Sequence, residues 1–295
     1  MLTLKEALAS GKFAITSEMA PPKGTDIHEM IEKTKMVVGL VDGVNVTDMQ
    51  SAVLRLTSLA SCKIIKDLGV DPVFQITCRD RNRLAMQGEL LSAAVLGIEN
   101  VLVLTGDHPK AGDHPEAKPV YDFDSVSFIK MIKTLESGVD MTGHKLEGAP
   151  KFVIGTSVTP KMDPLEPQVI KTKKKIDAGA EFFQTQGVYD METMKTYMDA
   201  CKDILGDVKV LAGIIPLKSA GMAKFMNKNI PGISIPQNVI DRMAAAASPV
   251  EEGIKIAGEF ISELKDSGIV HGVHIMAIGA EENVPAIMKA GGLLK

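Results

Sequence analysis

The sequence predicts an α/β fold, a TIM (β/α)8 barrel of eight parallel strands with flanking helices. Three observations predict it: eight short apolar, β-rich runs, segments of helical periodicity between them, and glycines that close helices just before the next run. The runs lie at 13–19, 43–47, 72–77, 100–105, 151–157, 181–186, 209–215 and 272–277. Helical spacing is clearest at 51–68, 83–96, 166–178, 191–205 and 251–266. Gly69, Gly97, Gly179 and Gly268 stand where a helix needs a residue at ease in left-handed geometry. A doubly wound open sheet would place a Gly-x-Gly-x-x-Gly turn after its first strand, and Glu18-Met-Ala-Pro-Pro-Lys-Gly24 has none.

At 295 residues and 45% apolar content the chain fits one barrel domain spanning 1–295. Thr3 and Glu6 form a capping box that opens a short helix, and the charges there exclude a signal-peptide apolar region. No apolar run approaches membrane-spanning length. A formal charge of −4 without a basic block offers nothing to nucleic acid or an anionic membrane, so a small-molecule substrate is expected. Cys62, Cys78 and Cys201 are far apart and form no Cys-x-x-Cys pair; neither a disulfide framework nor a zinc site is indicated, and a reduced cytoplasm fits.

Two connections exceed what packing needs. Segment 106–123, after the fourth strand, is rich in Gly, Pro, His and Asp and carries Gly-Asp-His-Pro twice, at 106–109 and 112–115. Segment 138–150 precedes the fifth strand and belongs to the opposite, stabilising face, whereas 229–236 follows the seventh and is placed at the mouth.

Barrels of this kind carry their chemistry at the C-terminal strand ends. Read in turn, those ends supply Glu18, Thr47 with Asp48, Gln75 with Thr77, Thr105 with Asp107, Ser157 with Thr159, Gln184 with Gln186, Lys218, and His274. Glu18, held extended by Pro21 and Pro22, reads as a general acid or as a solvated rim carboxylate. Asp107 beside Gly106 is a ligand-facing carboxylate or a turn cap. The Lys171, Lys173, Lys174 and Lys175 run is a phosphate site or a solvated helix face, and His274 is catalytic or structural. His108 and His114 sit on a loop rather than a rigid element, which argues against a metal centre.

Taken in order, the motifs Ser17-Glu-Met-Ala-Pro-Pro22, Ile76-Thr-Cys-Arg-Asp-Arg-Asn82, Leu104-Thr-Gly-Asp107, Ile176-Asp-Ala-Gly-Ala180, Gln184-Thr-Gln186, Gly213-Ile-Ile-Pro216 and Gly272-Val-His-Ile-Met276 resemble the methylenetetrahydrofolate reductase family along nearly the whole chain. The resemblance implies flavin-dependent reduction of 5,10-methylenetetrahydrofolate to 5-methyltetrahydrofolate in one-carbon metabolism. It assigns proton donation to Glu18 and a place beside the flavin pyrimidine ring to Asp107. Thr47, Gln75, Leu104, Thr105, Gly106, Thr159 and Gln184 correspond to flavin-lining positions, Lys171, Lys174 and Lys175 to its phosphate, and Gln186 and Met276 to the substrate.

This chain departs from the family pattern at several of these. Gln75, Thr159 and Met276 stand where relatives often carry His or Tyr, so FMN competes with the family's usual FAD; Ala220 stands where a substrate-stacking aromatic is expected. The implied electron donor is NAD(P)H or a companion iron–sulfur or zinc subunit, in an oligomer or complex. The same residues leave room for a flavin-free, pterin-binding methyltransferase barrel, and for a subunit that holds flavin on behalf of a partner.

Overall fold

A computed structural model describes residues 2–294. Its strands are β1 (Ala14–Met19), β2 (Gly43–Val46), β3 (Pro72–Thr77), β4 (Asn100–Leu104), β5 (Val153–Val158), β6 (Phe182–Gly187), β7 (Lys209–Ile214) and β8 (Gly272–Ile275). Each pairs in parallel with its sequence neighbour, and β8 pairs back with β1, closing the barrel. The eight expected runs are these strands, with ends moved by one or two residues. Helices α1 (Leu4–Ser10), α2 (His28–Val37), α3 (Ser58–Asp67), α4 (Arg83–Val95), α5 (Ser125–Glu136), α6 (Glu166–Ala178), α7 (Met191–Leu205), α8 (Ala220–Asn229), α9 (Gln237–Ala245), α10 (Pro249–Ser267) and α11 (Val284–Ala290) complete the described elements, with three short 3-10 turns. The capping box forms at Thr3 and Glu6, and all four predicted glycines take positive φ.

The inside of the barrel changes character along its axis, because alternate residues of each strand point inward. At the N-terminal end Ala14, Val73, Leu102, Val153, Phe182 and Leu211 pack on Leu4, Ala7 and Leu8, so α1 plugs the bottom. Two residues further along come Thr16, Asn45, Gln75, Gln184 and His274, all buried. This layer is polar, and three of its members bond one another. The Asn45 and Gln184 amides exchange two hydrogen bonds at 2.7 and 3.0 Å, and Gln184 donates also to Thr16 Oγ1 at 3.1 Å. Gly155 makes room in this layer: a Cβ there would lie 2.2 Å from the ring of Phe182.

One expected helix is shortened. Residues 51–57 form an irregular loop ahead of α3, because Met49, Ser51 and Ala52 take left-handed backbone angles and Val53 is extended. Tertiary contacts hold that geometry: Arg79 donates to Met49 O at 3.2 Å, and Gly112 sits so close to Ala52 O that a Cβ would lie 1.8 Å from it. Segment 106–123 is a loop, as its composition indicates, closed onto the end of β3 by Val120 N to Arg79 O and Tyr121 N to Cys78 O. The second Gly-Asp-His-Pro copy is a clamp, since Asp113 accepts from Lys23 and from Leu54 N and so joins three loops. That pairing holds the Asp113 carboxyl below its ordinary range.

Gly155→Ala forces the Phe182 ring off its position and is expected to destabilise the barrel by about 1–3 kcal/mol, as overpacked cores do. Urea unfolding of the variant measures this; an unchanged midpoint would mean the ring relaxes freely.

Candidate active site

A cavity of about 400 Å³ opens at the C-terminal mouth of the barrel. Every catalytic, flavin-lining or substrate residue implied by the family resemblance lines it except Lys174. The exception follows from helix geometry: Thr172, Lys175 and Ala178 form the buried face of α6, Lys171 reaches the cavity edge, and Lys174 turns to solvent. A second cavity of about 660 Å³ adjoins the first between the loops that follow β1, β2 and β8, and Glu18 and Gln50 line both.

Glu18 is buried, with 8% of its surface exposed. Gln50 Nε2 donates to its Oε1 at 3.2 Å, and His274 Nε2 lies 3.9 Å from its Oε2. The layer below contacts the other nitrogen of that imidazole. Thr16 Oγ1 already accepts from Gln184 and lies 2.9 Å from His274 Nδ1, closer than its alternative acceptor Val273 O at 3.5 Å. With the hydroxyl donating to Nδ1, the His274 proton lies on Nε2, facing the carboxyl. Both Gln184 amide protons are engaged inside the barrel, which leaves it only acceptor capacity towards the cavity.

Asp107 is exposed at the rim, and its backbone carbonyl accepts from buried Arg79 at 3.4 Å while Tyr121 Oη donates to Gly106 O at 3.2 Å. Asp48 is structural, because it accepts from Thr77 N, Thr77 Oγ1 and Arg81, all within hydrogen-bond reach. Gln186 is presented by an irregularity between β6 and β7 in which Thr185 Oγ1 takes the Gly213 amide at 2.8 Å. Thr159 packs against Gly232, so the 229–236 segment does border the mouth. Lys218 stays out of the inner cavity and donates to Ile278 O. His108 accepts from Lys110 N and His114 leans on Asp113; among the described residues no group of three or more His, Cys, Asp or Glu is arranged for a metal ion.

Two features bear on anions and cofactors. Thr47 Oγ1 is buried with no hydrogen-bond partner. Lys175 Nζ is buried and donates to Ser157 O at 2.5 Å without a carboxylate partner, and burial, aided by Lys171, pulls its pKa down to about 7 against a weaker opposing pull from Asp124. Sequence reasoning missed Gln50, Arg79 and Thr16. Arg79 had a signal, an arginine placed directly after an apolar strand and so near the mouth; Gln50 had none.

A family model described as methylenetetrahydrofolate reductase matches residues 3–292. The chain belongs to the methylenetetrahydrofolate reductase family. Methylenetetrahydrofolate reductase 2 of Schizosaccharomyces pombe is 28% identical over 74% of this chain, and the match spans 35% of that relative, so the chain covers about a third of the length of such relatives. The 5,10-methylenetetrahydrofolate reductase of Salmonella typhimurium is 24% identical over 90% of this chain and 87% of its own. Among solved structures, an uncharacterised Clostridium thermocellum protein described as binding two copies of 5-methyl-5,6,7,8-tetrahydrofolic acid has the same fold, with a TM-score of 0.66, 18% identity and coverage of 98% and 97% of the two chains. No helix of the described residues is long and apolar enough to cross a membrane.

A buried amine with a depressed pKa charges as pH falls through about 7, so inorganic phosphate should bind the cavity more tightly at pH 6 than at pH 8. Lys175→Met should remove that dependence in calorimetry. It should also raise the melting temperature of ligand-free protein at pH 7 by roughly 2–4 °C, because between 7 and the ordinary lysine pKa the unfolded chain binds a proton that the folded chain does not. Equal phosphate affinity at both pH values would place the lysine outside anion binding.

Proposed function

We propose that this chain, acting as one catalytic domain, reduces 5,10-methylenetetrahydrofolate to 5-methyltetrahydrofolate with a bound flavin. The observation that carries the reading is a buried carboxyl, Glu18, gripped by Gln50 and faced by the His274 N–H, in the same cavity as Thr47, Gly106, Asp107 and Lys175. Family membership supports the reaction, and the Clostridium thermocellum protein of like fold, described as binding methyltetrahydrofolate, supports the substrate class.

The residues present fit a flavin. The unpartnered Thr47 hydroxyl and Gln75 offer polar contacts to a heterocycle edge, Gly106 admits close backbone approach, and Lys171 with Lys175 suit a phosphate. The cofactor's contribution when bound is a hydride. FAD is the form usual in the family, and the loss of His and Tyr at Gln75, Thr159 and Met276 makes FMN the alternative to resolve by identifying the released cofactor.

What the protein contributes is position, a proton and field. Glu18, in its acid form, donates to the bridging nitrogen that leaves the methylene carbon, opening the five-membered ring to a cationic methylene iminium. The carboxylate so formed accepts a hydrogen bond from Gln50 Nε2, and His274 Nε2 lies 3.9 Å from it. Asp107, a carboxylate at the rim, favours the positive charge on the substrate. Gln186, on its bulge, and Met276 border the substrate's place above these groups. Addition of hydride to the iminium carbon gives the methyl product.

The test is spectroscopic. Purified protein should show flavin bands that bleach with dithionite under anaerobic conditions and return when methylenetetrahydrofolate is added; comparison with NAD(P)H as reductant identifies the donor class. Absence of flavin after reconstitution would favour flavin-free methyl transfer, and flavin that the folate never reoxidises would favour a subunit serving a partner. In the same assay Glu18→Gln should keep flavin reduction and lose at least about 100-fold in reoxidation by folate. Asp107→Asn should shift the flavin potential and weaken folate; if neither moved, Asp107 would have no part in the chemistry.

A further inference from the structure

We propose that the outer cavity beside Glu18 is the seat of the substrate's anionic tail, and that Arg55 anchors a carboxylate of that tail. This rests on the folate reading above. A tetrahydrofolate carries its pterin on a neutral aromatic amide that ends in an amino acid with two carboxylates. With the pterin at Glu18, the remainder needs a channel that starts at Glu18, offers apolar surface, and supplies a cation. The outer cavity shares Glu18 and Gln50 with the inner one and meets all three requirements.

Its apolar surface comes from Pro21, Pro22 and Ile278. Ile278 is held in a left-handed conformation, φ 48°, which a β-branched side chain seldom adopts, and its side chain is 42% exposed at the cavity rim. Neighbours impose the strain: Lys218 donates to its carbonyl, and Gly279 N donates to Glu281 at 2.8 Å. Strain of this kind persists where the surroundings over-determine it and clusters at ligand clamps. No Phe, Tyr or Trp lines either cavity, and Ala220 packs into the apolar cluster around α8 and α9.

The cation is singled out by elimination. Three lysines or arginines line the outer cavity: Lys23 pairs with Asp113, and Lys33 pairs with Glu29 and Glu281. Arg55 has no carboxylate partner among the described residues; its one hydrogen bond goes to Pro21 O at 3.3 Å. A half-buried guanidinium has five N–H donors in a fork suited to a carboxylate, and nearly all of this one remain available. Arg55 is thus the one lysine or arginine lining this cavity without a carboxylate partner among the described residues, and one guanidinium suits one carboxylate better than a pyrophosphate, which favours the folate tail over a dinucleotide donor as occupant.

Calorimetry with two ligands tests this: 5-methyltetrahydrofolate, and a 5-methyltetrahydropterin that lacks the aminobenzoyl-glutamate. Arg55→Gln should weaken the full ligand by roughly 10- to 100-fold and leave the truncated one unchanged, with Arg55→Lys recovering part of the loss. Equal losses for both ligands would make Arg55 a loop support acting through Pro21 and overturn the assignment, as would no loss for either, or a loss confined to NAD(P)H. If the unaltered protein binds neither folate, the folate reading itself fails and this inference with it. Binding of folate that is indifferent to Arg55 sinks only the tail assignment.

Discussion

The paired amides of Asn45 and Gln184 are the constraint on which the working end of this barrel depends. Polar groups buried in a barrel interior must find partners there, and an amide can satisfy another amide completely only in one orientation. Gln184 so held donates to Thr16, Thr16 Oγ1 touches His274 Nδ1, and His274 Nε2 faces Glu18, so one connected set of side chains runs from the amide pair to the mouth. The position of the Glu18 carboxyl at the mouth is thus supported from the layer directly below it. The apolar plug formed with α1 keeps water from reaching that layer from beneath.

Much of this was legible in the sequence, and the reason is periodicity. Strands are short, parallel and buried on both faces, so each reads as an apolar run with a clear end, and the end is where a barrel holds its functional groups. That logic places Glu18, Thr47, Gln75, Asp107, Gln186 and His274 around one cavity without any contact information. The family resemblance adds Met276 and Lys175, but does not separate Lys175 from Lys174, because a run of lysines hides which face of α6 is buried until the neighbouring strands are known.

What the sequence concealed has the opposite character. The stretch 51–57 reads as helical because Ser51, Ala52, Leu54 and Leu56 are compatible with a helix, and only tertiary contacts from Arg79 and the Gly112 backbone hold its start in left-handed geometry. Gln50 reaches Glu18 as a result of that distortion, so no local pattern announces it. Likewise Asp48, a strand-end carboxylate indistinguishable from Asp107 by position, is absorbed by Thr77 and Arg81, and its role as a support becomes visible only through those partners.

The repeated Gly-Asp-His-Pro illustrates how the same short string can be given different work by its surroundings. At Gly106 and Asp107 it faces the cavity; at Gly112 and Asp113 it is pressed against Ala52 and tied to Lys23 and Leu54. Both copies are anchored at fixed points of the mouth, so the stretch between them behaves as a ruler of set length. Drift in the number of residues there would pull either the rim carboxylate or the three-loop clamp out of register, whereas the side chains along the stretch, which mostly face solvent, are free to vary. In this loop it is length, more than composition, that evolution has to protect.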